Sequence, residues 1–255
     1  MRELYIKHNT PITIQQGVII SGCVADNYNC NVFGLIITPR CDLDHEGKVS
    51  TIHYLPIVPF KEWLKTECIP QCRQKTFLKK KQQLQKLLVE KSISPTIIDG
   101  LLDKETILSV ISPYKHIVDL YNVLMQITDE SVIHKSVKEN IDSQINMLKG
   151  CTHNRYYLLE SWDNPTDLNV ILLRQVKRIQ YSLAEKYKRG FQERITPDDV
   201  FNNNDIATSK ENIIYKSIAE ISSPYIEHII QSFSYNFCRI GIQEMDDSIK
   251  NSINY

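Results

Sequence analysis

Two strand-like stretches, NRYYLLESW at residues 154–162 and LNVILLRQVKRI at 168–179, flank the turn DNPTD, far along the chain from its other strand signals. A two-stranded hairpin is marginal by itself in water. The pair must therefore complete a sheet begun earlier, and whatever lies between becomes an insertion. That requirement constrains the fold more than any compositional total.

The earlier part of the sheet lies in residues 12–60. GVIISGCVA (17–25), NVFGLIIT (31–38) and VSTIHYLPIVPF (49–60) are rich in Val, Ile, Tyr and Phe and are separated by the polar turns DNYN and DLDHEGK. Three short strands joined this way predict an antiparallel meander. The unbroken apolar run of GLIITP predicts a central strand buried on both faces. From about residue 60 to 150 the period changes: Trp63, Leu64, Phe77, Leu78, Leu84, Leu87 and Leu88 recur at helical spacings, and further helical segments follow. Ser94 before Pro95 reads as a helix start. Residues 179–220 read as helical at both ends around a loose FNNND loop. A last helix is expected from Pro224 to about Ile240, capped by Ser223.

The expected fold is thus α+β: a small antiparallel β-barrel from 1–60 and 151–180, a helical insertion at 61–150, and C-terminal helices from 181–255 packing on the barrel. A chain of 255 residues, 42% hydrophobic and 24% charged, can bury such a core. No apolar run reaches the length of a membrane span, and MRELYIKHNTPITIQQG lacks the apolar stretch of a signal peptide. A cytoplasmic protein that does not enter a membrane is the expectation. Seven cysteines, an odd number scattered over the chain, argue for reduced thiols.

Formal charge cancels overall but not locally. Residues 61–93 hold nine Lys/Arg against three Glu, and 174–194 hold seven against two. Lys79, Lys80 and Lys81, with Arg174, Lys177 and Arg178, are therefore candidate contacts to a polyanion through segments 73–86 and 174–189. A solvated helix face is the alternative reading of KKKQQLQK.

The segment GLIITPRCDLDHEG places reactive residue types at a strand end. Cys41 could act as a nucleophile with His45, or with His53 of the next strand, as its base. Asp42, Asp44 and Glu46 could bind a cation, although the glycine and terminal glutamate of a calcium loop are misplaced. Alternatively Cys41 fills a small space and Asp42 bonds the turn backbone. Convergence of Cys23 and Cys30 with Cys41 follows no standard zinc-ligand spacing. A zinc site closing the neck of the insertion would use Cys68, Cys72, Cys151 and His153, with Pro70 opposing a helical placement of the first two. No phosphate-cradling glycine loop, HExxH helix or serine elbow is present. On the last helix, Tyr225, Ile229, Phe233, Phe237 and Ile240 form an apolar stripe. Beside it His228, Ser232, Tyr235 and Arg239 form a polar face suited to an anion or a partner.

Two resemblances concern the same regions. TPRCDL after an apolar strand, together with SPYIEHIIQSFSYNFCRIG, resembles a group of uncharacterised bacterial proteins whose segments read V-I-[ST]-x-x-C-D-L and SPYxExLxQxFxxxFxRIG. The two motifs cover under a fifth of the chain. Membership would imply a bacterial protein, with an association to anti-phage defence. The layout GVII…VFGLIITPRCDL…STIHYLPIV is similar to the SH3-like barrels of the MazF/PemK toxin ribonucleases, with Gly17, Ile37, Thr38, Pro39, Pro56 and Ile57 in corresponding places. Val18 departs from that pattern, which has an acidic residue there. These readings leave three functions open. The first is a non-catalytic binding or regulatory component, recognising a partner protein or nucleic acid. The second is a ribonuclease using the Cys41–Asp42–His45 turn with Arg239 or another basic residue, and the third a zinc-stabilised structural module.

Overall fold

The computed structural model describes residues 3–6, 14–44, 49–99, 103–164, 166–180 and 217–238. Within them the chain forms two compact units. One comprises residues 1–26, 31–58 and 154–255, the other 27–30 and 59–153.

The first unit is a curled antiparallel sheet of SH3-like barrel type. Its strands are β1 (Tyr5–Ile6), β2 (Val18–Cys23), β3 (Val32–Ile36), β4 (Thr51–Pro59), β5 (Tyr156–Glu160), β6 (Leu168–Leu172), β7 (Lys177–Gln180) and β8 (Ser217–Ile221). Their order is β1-β8-β2-β3-β4-β6-β5, with β7 pairing along β4. The meander β2-β3-β4 is antiparallel, with Leu35 opposite both Ile19 and Leu55. The late hairpin β5-β6 extends it from β4, as the instability of a lone hairpin requires. The sheet curls until its two ends touch: the Tyr5 hydroxyl donates to the Glu160 carbonyl, and Trp162 meets both Tyr5 and Phe33 edge to face. Because β3 is central, Leu35 and Ile36 are wholly buried, as are Ile19, Ile20, Ile52, Leu55 and Ile57 around them.

Gly34 is fixed by packing. A Cβ there would stand 2.6 Å from Cys23 Sγ and 2.7 Å from the Tyr54 ring. Burial pushes the Cys23 thiol well above its usual range, against an opposing hydrogen bond with Tyr54. This cysteine is a packing group.

The second unit is the helical insertion. A continuous helix runs through α2 (Phe60–Trp63), a π-helical stretch (Leu64–Cys68) and α3 (Ile69–Glu90). A single 3-10 turn at Pro95–Ile98 follows, with Ser94 at its N-cap. After it come α4 (Lys104–Ile111), α5 (Lys115–Thr128) and α6 (Lys135–Lys149). Leu84 and Leu88 of α3 pack with Ile107, Ile111, Ile117, Tyr121 and Leu124 into one apolar cluster. Asp103 caps α4, its carboxylate accepting from the Thr106 N–H at 2.9 Å.

Three expectations are corrected. Residues 217–221 are a strand and not helix. SIAEI is inserted between β1 and β2, where Val18 faces Glu220 and Tyr5 faces Ile221. The run 168–179 is two strands, broken where the Gln175 N–H turns back to the Leu172 carbonyl. Pro70 does not interrupt a helix, because the preceding stretch is wound as a π-helix. There Ile69 donates five residues back, to Leu64, and a proline with no N–H is tolerated one position later. The final helix, α7 (Tyr225–Cys238), buries Ile226 and Ile229. The remainder of 181–216, including FNNND, lies outside the described residues.

Candidate functional site

The TPRCDL turn and the strand leading into α7 are tied together at one corner of the barrel. Gly17, at φ +95°, donates to the Ile36 carbonyl and accepts from Ile221, and Ile226 of α7 lies 3.4 Å from where a Cβ would stand. Thr38, buried, accepts the His53 N–H at 2.8 Å and pins the end of the GLIIT run to β4. Directly after it, α1 (Arg40–Leu43) turns the chain. Arg40 reaches Glu220 at 3.8 Å. Glu220 is buried on β8 and also accepts a 2.7 Å hydrogen bond from the Gln15 amide. A buried carboxylate needs such partners, and here they tie the TPRCDL turn to the strand that leads into α7.

Cys41 and Asp42 do not sit inside that corner. Cys41 is exposed on α1, and its Sγ lies 3.8 Å from Asp42 Oδ1, a pairing of thiol with carboxylate in place of a base. His45 and Glu46 lie outside the described residues, as does Arg239. His53 is exposed on β4, opposite Arg178 of β7. His228 meets Tyr157 instead, its Nδ1 3.1 Å from the phenol oxygen with the rings edge to face.

The candidate cations are partly engaged within the fold. Lys81 pairs with Asp99 at 2.7 Å, and Lys177 with Asp26 at 2.6 Å. Arg174 donates to Asn236 Oδ1 at 3.1 Å, while Lys79 is exposed and Lys80 half-buried.

Of the zinc candidates, Cys68 and Cys72 are buried four residues apart, at the end of the π-helical stretch and one turn into α3. Cys151 is half-buried at φ +52°, and His153 is buried with its Nε2 2.8 Å from Gln144 Oε1. Among the described residues no group of three or more His, Cys, Asp or Glu is placed to hold a metal ion.

A groove in the helical unit is the feature that sequence reasoning missed. Lys65, Ile69, Arg73 and Phe77 follow one another at steps of four and so form one face of the helix. With Pro70 and with Ile127 at the end of α5 they line a cavity of about 500 Å³. The opposite wall is held by Arg73, whose guanidinium donates to the carbonyls of Ile127 (2.9 Å), Asp129 and Val132 (3.4 Å). It thereby satisfies carbonyl groups at the C-terminal end of α5. Asp129 accepts from the Ser131 N–H and hydroxyl at 2.9 and 2.6 Å. Those bonds, and then Arg73, hold its carboxyl below the ordinary range. The loop so fixed carries Val132 and Ile133, 59% and 45% exposed.

No protein-family model, curated protein or solved structure matches the chain. Among the described residues no helix is long and apolar enough to cross a membrane.

Proposed function

We propose that this is a non-catalytic binding component that holds an apolar segment of a partner protein in the groove between α3 and the end of α5. The observation carrying this reading is the preformed groove. Its lining includes Ile69, Pro70, Phe77 and Ile127, and Arg73 ties α3 to the end of α5 and to the loop that carries the exposed Val132 and Ile133. A cavity of this size, mostly apolar with a few polar groups around it, is the usual form of a binding site. Exposed apolar side chains on the loop that Arg73 holds would add contact surface beyond what a small molecule uses. The resemblance of the TPRCDL turn and the SPYIEHIIQSFSYNFCRIG helix to an uncharacterised bacterial group fits a bacterial, cytoplasmic partner-binding protein, including one in anti-phage defence. A polyanion is the weaker choice, since Lys81 and Lys177 already face carboxylates.

A photo-crosslinking residue in place of Gln74, which is exposed at the groove, tests this in cells of the native host. A single protein adduct is expected, lost when Val132→Glu and Ile133→Glu are combined and absent when the crosslinker replaces Gln231 of α7. No adduct, or the same adducts from both positions, overturns the reading. Binding of nucleic acid that falls roughly a thousandfold or more between low and physiological salt would favour the basic segments instead.

A further inference from the structure

The charges that line the groove are unevenly placed. Lys65 and Arg73 enter the lining from the π-helical stretch and α3, and Glu130 enters it from the residues after α5. Arg73 is half-buried. Its Nη1 serves the carbonyls of Ile127 and Asp129, and its Nη2 that of Val132. A guanidinium has more N–H donors than these contacts use. The Nε–H and one Nη2–H are left without an acceptor among the described residues. Nor does a carboxylate of the described residues pair with this cation. Asp129, which lends it a carbonyl, turns its carboxylate Oδ1 to the Ser131 N–H and hydroxyl. Lys65 is more open: its side chain is 71% exposed, and its ammonium stands 3.5 Å from Glu62.

We infer, resting on the reading of the groove as a partner site, that the segment it holds is acidic as well as apolar, with one carboxylate paired to Arg73 and a second facing Lys65. Desolvation decides it. A segment that fills the groove takes water away from Arg73, and a cation covered without an anion is costly. A carboxylate offsets that cost through the donors left open. Nε and Nη2 share one edge of the guanidinium, and along such an edge an arginine can receive both oxygens of a carboxylate. Glu130 gives the arrangement a direction, because an acid turned toward it would meet like charge.

The two cations also set a spacing. Lys65 and Arg73 are two steps of four residues apart, about 12 Å at the α-helical rise. Carboxylates matched to them fall about seven or eight residues apart on a helical segment, or about four apart on an extended one. In either case both lie on one face of the segment, and the apolar residues between them are left for Ile69, Pro70 and Phe77.

The test uses peptides in place of the partner. Random sequences of about twelve residues, long enough to span both cations, are displayed on phage and offered to the full chain carrying a photo-crosslinking residue in place of Gln74. Sequences that are also captured from Gln231 of α7 are discarded. The captured set should be apolar, enriched in Asp and Glu over the input and depleted in Lys and Arg. Synthesised free, those peptides should bind the unmodified chain about tenfold or more less tightly once Glu is replaced by Gln and Asp by Asn, the scale of a lost charge-assisted hydrogen bond. Lys65→Gln should weaken the acidic forms by about two- to fivefold, the range of an exposed ion pair, and leave the amide forms unchanged. Captured peptides with no excess of acid, or amide forms that bind as well as the acidic ones, overturn this inference and leave the groove reading standing. If position 74 captures nothing that position 231 does not, the groove reading falls and this inference falls with it.

Discussion

The two units bury their apolar residues by different means, and the difference decides where a partner could be held. In the barrel the central strands are covered on both faces, so most large apolar side chains of its described strands are spent internally. Among the described residues, Ile6, Val176 and Tyr235 are its large hydrophobics left exposed. In the helical unit only one stripe of each helix turns inward. Leu78, Val89, Val110, Met125, Val132 and Ile133 remain exposed there. A sheet curled on itself closes its own surface; an insertion built of amphipathic helices leaves apolar surface available for binding.

The largest expected effect comes from opening the helical core. Leu88 is wholly buried in the α3–α4–α5 cluster. Leu88→Ala should destabilise the protein by about 2–5 kcal/mol, loss of transfer energy plus a cavity. Denaturant unfolding followed by Trp63 fluorescence, with Trp162→Phe as background, would measure it. A change below about 1 kcal/mol would mean that this unit is packed too loosely to hold a preformed groove.

The barrel is tested in the opposite direction, by adding volume. Gly34→Ala puts a methyl group against Cys23 Sγ and the Tyr54 ring and should cost about 1–3 kcal/mol. Shrinking a neighbour in the same molecule, as in Gly34→Ala with Cys23→Ala, should recover part of that loss. No recovery would show that the restriction at Gly34 is one of backbone and not of packing.

How much of this contrast was legible depended on the distance over which each feature is determined. The meander and the inserted helices follow local periodicity and could be read directly from the residues. Strand β8 could not, because Ala219 and Glu220 follow a helix-like stretch and only pairing with β1 and β2, some two hundred residues earlier, makes them extended. The Arg40–Glu220–Gln15 corner was hidden for the same reason. The groove was illegible differently: Lys65, Ile69, Arg73 and Phe77 alternate charge and apolarity, so they form no stripe that a hydrophobic pattern would reveal. The spacing of Cys68 and Cys72 was visible, but Pro70 argued against a helix that the π-helical winding permits.

That hidden corner gives a smaller, sharper test. Glu220→Ala leaves the Gln15 amide without its acceptor and should cost about 1–3 kcal/mol. Arg40→Ala should cost under about 1 kcal/mol, because its side chain is 55% exposed and its guanidinium 3.8 Å away. Equal losses from the two would mean that charge pairing, and not the amide hydrogen bond, ties the TPRCDL turn to β8.

The smallest effect is in pH. Asp103 and Asp129, both fully exposed and both in the helical unit, have carboxyls held below their ordinary range by Thr106 and Ser131 respectively. A depressed folded-state pKa stabilises the fold fully above the unfolded value, and that contribution is lost as pH falls through the lower folded value. The helical unit should therefore weaken on acidification below about pH 4, the unfolded carboxylate range. Substituting Asn at both positions keeps the cap and the turn, since Asn accepts the same backbone bonds, but removes the titration. Far-UV circular dichroism melts across the acid range should show a flatter pH dependence in the double variant, with helicity at neutral pH little changed. An unchanged slope would place the acid sensitivity elsewhere and remove this asymmetry between the units.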